Sequence, residues 1–121
     1  MKNELELLIS GNETVNNIIQ KLNTSNLKIL LIRENKKIIG IFTEGDFRKA
    51  VLNGIDINKP VKNFINKNYK FLNKNYNKKK VINIFKKNKK IHVLPVLNDD
   101  KTLLKILTRS DFFKKKYTKI N

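Results

Sequence analysis

Val15, Ile18, Ile19 and Leu22 recur at helical spacing behind Thr14, whose hydroxyl suits an N-cap, so a helix is expected from Thr14 to about Asn23. A matching stripe, Val81, Ile82 and Phe85, starts near Asn77. Each stripe is followed by two apolar runs with a polar turn between them: Ile29–Ile32 and Ile38–Phe42, then Val93–Leu97 and Leu103–Leu107. That pattern reads as a hairpin in each half. A further helix is expected to open at Gly45-Asp46 and run to about Asn53, where Gly54 stops it; its counterpart opens at Ser110-Asp111. Short leading strands are expected at Leu5–Ile9 and Lys70–Leu72, and Val61–Ile65 adds a helical turn after the linker Ile55–Pro60. The order is β-α-β-β-α, twice, an α+β chain.

The two halves match residue by residue. Lys28 falls on His92 and Ile32 on Val96 at an offset of 64, while Thr43 falls on Thr108 and Asp46 on Asp111 at an offset of 65. The extra residue sits in the turn, where Glu34-Asn35-Lys36 faces Asn98-Asp99-Asp100-Lys101, a place where a duplicated unit tolerates insertion. Residues 1–60 form the first repeat with its linker and 61–121 the second. Neither holds enough apolar surface to fold alone, so their sheets are expected to pack as a pseudo-twofold pair.

Composition narrows the chemistry. The 121 residues include no Cys and one His, which excludes disulfides, thiolate metal sites and a multi-histidine centre. No nucleophile elbow surrounds His92, and the adjacent Asp99 and Asp100 read as a solvated turn, so neither a catalytic residue nor a metal site is expected. The amino-terminal residues lack a signal-peptide layout and no apolar run reaches bilayer length, so the expected location is the cytoplasm, with no membrane partner. The net charge of +17 is uneven: residues 1–60 carry nine Lys/Arg against seven Asp/Glu, and residues 61–121 carry eighteen against three. Lys78–Lys80, Lys86–Lys90 and Lys114–Lys116 make that second half a field for polyanions. Lysines nevertheless number 24 against three arginines, with 19 asparagines, as AT-rich codons would bias a tolerant surface. With few arginines and no platform of stacking aromatics, a nucleic-acid partner is not expected.

Gly40-Ile41-Phe42-Thr43-Glu44-Gly45-Asp46-Phe47 places a hydroxyl at a strand end and a carboxylate one turn into the next helix. Paired acceptors of that kind suit the vicinal diol of a ribose, beside helix amides that favour phosphate. The same spacing is also an ordinary helix cap. Its recurrence at Thr108 and Asp111, in register within the duplicated unit, removes the advantage that the capping reading has at a single site.

The chain resembles the tandem CBS domain pair, or Bateman module, over about residues 5–115. The resemblance is carried most specifically by Ile38–Ala50 and by Ile91-His92-Val93-Leu94-Pro95-Val96. Thr43 through Asp56, then Pro60-Val61, is most similar to the pairs attached to sugar-phosphate nucleotidyltransferases or arabinose-5-phosphate isomerases. Beginning at Met1 and ending in a lysine-rich tail, it fits the nucleotidyltransferase arrangement slightly better. The resemblance implies a non-enzymatic regulatory module that binds an adenosine nucleotide (AMP, ADP or ATP) in clefts between the repeats and modulates an associated or fused sugar-phosphate enzyme. It further implies ribose contacts from Thr43 and Asp46 in one cleft and Thr108 and Asp111 in the other. Phosphate contacts would come from Lys28, His92, Arg48 and Arg109, with adenine against Leu30 or Leu94. Two departures stand out: Lys105 occupies the place of Gly40, and Leu31 the place of Pro95. The Thr43/Asp46 cleft is therefore ranked first.

Two other readings stand beside this one. The pair could serve as a ligand-free homodimer scaffold with an isologous interface. Alternatively, the lysine-rich half could bind polyanions without regard to base, with affinity that falls steeply in salt.

Overall fold

Thr14 accepts from the Asn17 amide and starts α1 (Val15–Thr24), as its position ahead of the apolar stripe requires. The structure is a computed structural model that describes residues 4–113. β1 (Leu8–Ser10) precedes α1; β2 (Ile29–Glu34) and β3 (Lys37–Thr43) form the hairpin, and α2 (Glu44–Leu52) follows. The second repeat retraces this path through β4 (Leu72–Asn73), α3 (Lys78–Lys87), β5 (Val93–Leu97), β6 (Leu103–Thr108) and α4 (Arg109–Phe112). Each sheet is three-stranded, with a parallel outer strand and an antiparallel hairpin: β1-β2-β3 and β4-β5-β6. The repeat extends to a register irregularity, between Ile32 and Arg33 in one sheet and between Val96 and Leu97 in the other. Leu5–Leu7 departs from the expected strand: Glu4–Leu7 is a 3-10 turn, and pairing begins at Leu8. The second leading strand likewise starts at Leu72 rather than Lys70, and α2 opens one residue earlier than expected, at Glu44.

The middle strand of each sheet is buried on both faces. One face packs under the repeat's helices: Leu30, Ile32 and Phe42 against Val15, Ile18 and Leu22, and Leu94 and Val96 against Val81 and Phe85. The other faces meet, with Ile29, Leu31 and Ile38 packed on Val93, Leu97 and Ile106. This third cluster is the shared core expected of two units too small to stand alone. The hairpin turns also join, since the Ile38 amide donates to the Lys101 carbonyl at 3.0 Å.

The linker does structural work on the first repeat. Lys59 and Ile57 carbonyls accept from the Val15 and Asn16 amides, two of the donors that a helix start leaves unpaired. Farther on, Ile41 and Asn66 exchange both backbone hydrogen bonds, at 3.1 and 2.9 Å. This crossing explains Gly40: a Cβ there would lie 2.7 Å from Ile65 Cδ1 and 2.9 Å from the Asn66 carbonyl. Gly54 ends the α2 segment at φ +73°, a left-handed conformation that favours glycine.

Candidate functional site

The loops that enter β2 and β5 lie opposite each other across the shared core, and a cavity of about 330 Å³ opens between them. That volume is within the range of small-molecule pockets. Ile29 and Ile41 from the first repeat and Val93 and Pro95 from the second make an apolar wall. Around it stand Lys28, Lys70, Lys90 and His92, with Thr43, Glu44 and Gly45 at the start of α2. Equivalent backbone bonds shape both entrances: the Glu44 amide donates to the Lys28 carbonyl, and the Arg109 amide to the His92 carbonyl. Lys28 adopts φ +55°, and its ammonium donates to the Asn23 carbonyl at the end of α1.

Thr43 and Asp46 form a reciprocal cap at the start of α2. The Asp46 amide donates to Thr43 Oγ1 at 3.1 Å, while the Thr43 amide and hydroxyl both donate to Asp46 Oδ2 at 2.9 Å. The two side chains therefore touch each other yet face different spaces. Thr43 lines the cavity between the repeats, whereas Asp46 lines a more open depression of about 550 Å³ beside Asn53, Phe64 and Asn66. The single shared crevice expected from their spacing is thus divided by the helix start.

Four other expected contacts sit elsewhere. Leu30 and Leu94 are 0% exposed and belong to the helix-side cores, so the adenine contact assigned to them is corrected. Their strand neighbours Ile29, Val93 and Pro95 face the cavity, because successive residues of a strand point to opposite faces. Arg109 is also corrected, from phosphate contact to structural clamp. Its guanidinium donates to the carbonyls of Phe85, Asn88 and Ile91 at 2.9, 2.8 and 3.0 Å and lies over the Phe85 ring. Arg48 is exposed on α2 and lines neither cavity.

In the second repeat Thr108 is buried at 2% exposure, and its amide donates to Asp111 Oδ2 at 3.3 Å. Thr108 thus serves as the cap of α4 and, unlike Thr43, is not among the residues that line the cavity. Lys105 extends its ammonium over the Tyr76 ring, 5.3 Å from the centroid. Lys114–Lys116 and Tyr117 lie outside the described residues.

Lys70 was not singled out by the sequence, and Lys90 only as part of the polyanion run Lys86–Lys90, although both line the cavity. Lys90 comes two residues before His92, so the entrance loop carries two basic groups rather than one. Nearby, Tyr69 packs against the shared core, and burial raises its phenol pKa. Among the described residues no three His, Cys, Asp or Glu side chains gather as a metal site, and no helix is long and apolar enough to cross a membrane.

The CBS domain model matches residues 6–53 and 61–117, so the chain belongs to the CBS domain family as a tandem pair. Such pairs are regulatory modules, not catalytic ones. A probable arabinose 5-phosphate isomerase of Haemophilus influenzae is 36% identical over 81 residues, which span 65% of this chain and 24% of that protein. The chain thus spans about a quarter of the length of that relative. A crystal structure of a CBS domain superposes with TM-score 0.72 at 25% identity, covering 89% of this chain and 84% of the other. The cytosolic domain of the Mg2+ channel MgtE, solved in complex with ATP, superposes with TM-score 0.69 at 17% identity, covering 88% and 43%.

Proposed function

We propose that this CBS pair is a regulatory sensor that takes an adenosine nucleotide in the cavity between its repeats and modulates an associated sugar-phosphate enzyme. The observation that carries this reading is the cavity itself: an apolar wall from both repeats beside a cluster of cations. The wall would receive the flat face of a base, and Lys28 and His92 would meet phosphate. Thr43, which lines the cavity at the helix start, would meet the ribose, while Asp46 faces the neighbouring depression and holds the cap. The MgtE domain, a structural relative, was solved with ATP, which supports a nucleotide here. The isomerase relative supports a sugar-phosphate enzyme as the regulated partner, whether fused or separate.

Because the cavity is walled by both repeats, a bound nucleotide would favour one arrangement of the pair over another. Regulation requires that difference in affinity. The test is thermal unfolding of the chain with AMP, ADP, ATP, GTP and S-adenosylmethionine, in wild type and His92→Ala. An adenosine nucleotide at 100 times its dissociation constant adds about 2.7 kcal/mol of stability. His92→Ala, with an exposed side chain, should retain the fold and lose most of that gain. No gain with any of the five compounds contradicts the sensor reading.

A second reading, the ligand-free homodimer scaffold, draws on Val51 and Leu52, adjacent on α2 and 49% and 80% exposed. It predicts a concentration-dependent dimer that Leu52→Lys disperses and nucleotides leave unchanged. Sedimentation of both variants with and without ATP separates the two readings.

A further inference from the structure

The geometry points to Lys70 and Lys90 as the residues that select a nucleoside di- or triphosphate over a monophosphate, an assignment that rests on the nucleotide reading of the inter-repeat cavity. Three lysines line this space against one acid, Glu44, a formal balance of 3 − 1 = +2 with His92 neutral. The Lys28 ammonium already donates to the neutral Asn23 carbonyl, which leaves two of its three N–H donors for phosphate. Lys70 and Lys90 differ from it. Among the described residues neither is engaged in an ion pair; those present join Lys62 to Glu34 and Lys74 to Asp99.

Their surroundings reinforce the charge. Residues 57–98 hold twelve lysines and no Asp or Glu, so no acid from β4, α3 or the loop before β5 offsets the positive field at this entrance. Lys70 approaches from the segment ahead of β4, and Lys90 from the loop ahead of β5. A base held against Ile29, Ile41, Val93 and Pro95 would therefore direct its phosphates toward two flexible ammonium groups. A lysine is a compact point charge on a long stem and does not require one fixed phosphate geometry. Attraction grows with each added phosphate charge, whereas the base and sugar contacts stay constant. Selectivity by chain length follows.

The experiment is isothermal titration of the whole chain with AMP, ADP, ATP and inorganic tripolyphosphate at low and moderate salt. Wild type, Lys70→Gln/Lys90→Gln and Lys79→Gln/Lys86→Gln are compared, with circular dichroism confirming the fold of each. The last pair lies exposed on α3, lines neither cavity and reports the general field. Wild type should bind ATP at least about tenfold tighter than AMP at low salt, with the ratio shrinking as salt screens the lysines. Lys70→Gln/Lys90→Gln should bring ATP to within about threefold of AMP and leave AMP itself little changed, since partly exposed ion pairs are individually weak. The α3 pair should keep the wild-type ratio.

Equal affinity of wild type for ATP and AMP overturns the inference while leaving the nucleotide reading intact. An equal loss of selectivity in the α3 pair overturns it too, by assigning the effect to the general field. Tripolyphosphate binding as tightly as ATP overturns the assignment to a nucleotide. Absence of binding by every adenosine compound in folded wild type fails the underlying reading itself.

Discussion

At Thr43 and Asp46 one pair of side chains both starts a helix and stands beside a cavity, and only the first role consumes hydrogen bonds visible in the structure. Thr43→Ala and Asp46→Ala should each cost about 1 kcal/mol in urea unfolding, the usual value of a lost cap. The double variant should cost less than the sum, because each substitution breaks bonds shared with the other. Loss of nucleotide binding in Asp46→Ala must therefore be judged against this stability change. The glycines behave in opposite ways. Gly40→Ala drives a Cβ into Ile65 and the Asn66 carbonyl and should cost about 1–3 kcal/mol. Gly45 sits inside α2 with Thr43 Oγ1 at 3.7 Å as the nearest atom to an added Cβ, so Gly45→Ala should gain about 0.5–1 kcal/mol. The same two denaturation curves decide both.

Elements were more legible than the faces of their residues. Periodicity located all four long strands and the helices α1 and α3, with the N-cap at Thr14 and a start near Asn77, because amphipathic stripes and capping residues are local signals. It could not tell Leu30 from Ile29, or Leu94 from Val93. β2 and β5 are covered on both sides, so their sequences are continuously apolar and carry no alternation to show which face meets a helix and which meets the other repeat. The role of Arg109 was hidden for another reason. Its carbonyl partners lie 18 to 24 residues away in sequence, so only the packed structure brings the end of α3 within reach of its guanidinium. Arg109→Ala should cost about 1–3 kcal/mol, and Arg109→Lys should not restore it, because one ammonium cannot reproduce a planar fork spread over three carbonyls.

The turn ahead of β6 contributes a pH dependence. Hydrogen bonds from the Thr102 hydroxyl and amide hold the Asp100 carboxyl below its ordinary value. The folded value is the lower one, so the stabilisation is complete above the ordinary carboxylate range and is lost as pH falls through the folded value. Urea midpoints of wild type and Asp100→Asn should thus converge on acidification and separate again toward neutral pH.

For the whole molecule, two repeats share one core, and the cavity exists only where their entrance loops meet. The duplication was plain from the chain because matched residues recur at offsets of 64 and 65. The division of the expected crevice into two spaces was not, since it depends on the chain crossing β3 at Asn66, beyond the linker, and on the direction of α2. Charge acts at this scale as well: the lysine-rich second half raises the local concentration of any polyanion, while the cavity wall supplies the shape that a field lacks.

The most direct test of the nucleotide-sensor reading follows methyl resonances of Ile, Leu and Val while ATP is added to the intact chain. The reading predicts that Ile29, Ile41, Ile91 and Val93 shift together along one saturating curve, while Leu52 and Leu104 on the exterior stay still. Saturable shifts confined to Ile55 and Ile65 beside the α2 depression, or no shift at any of these methyls, would contradict it.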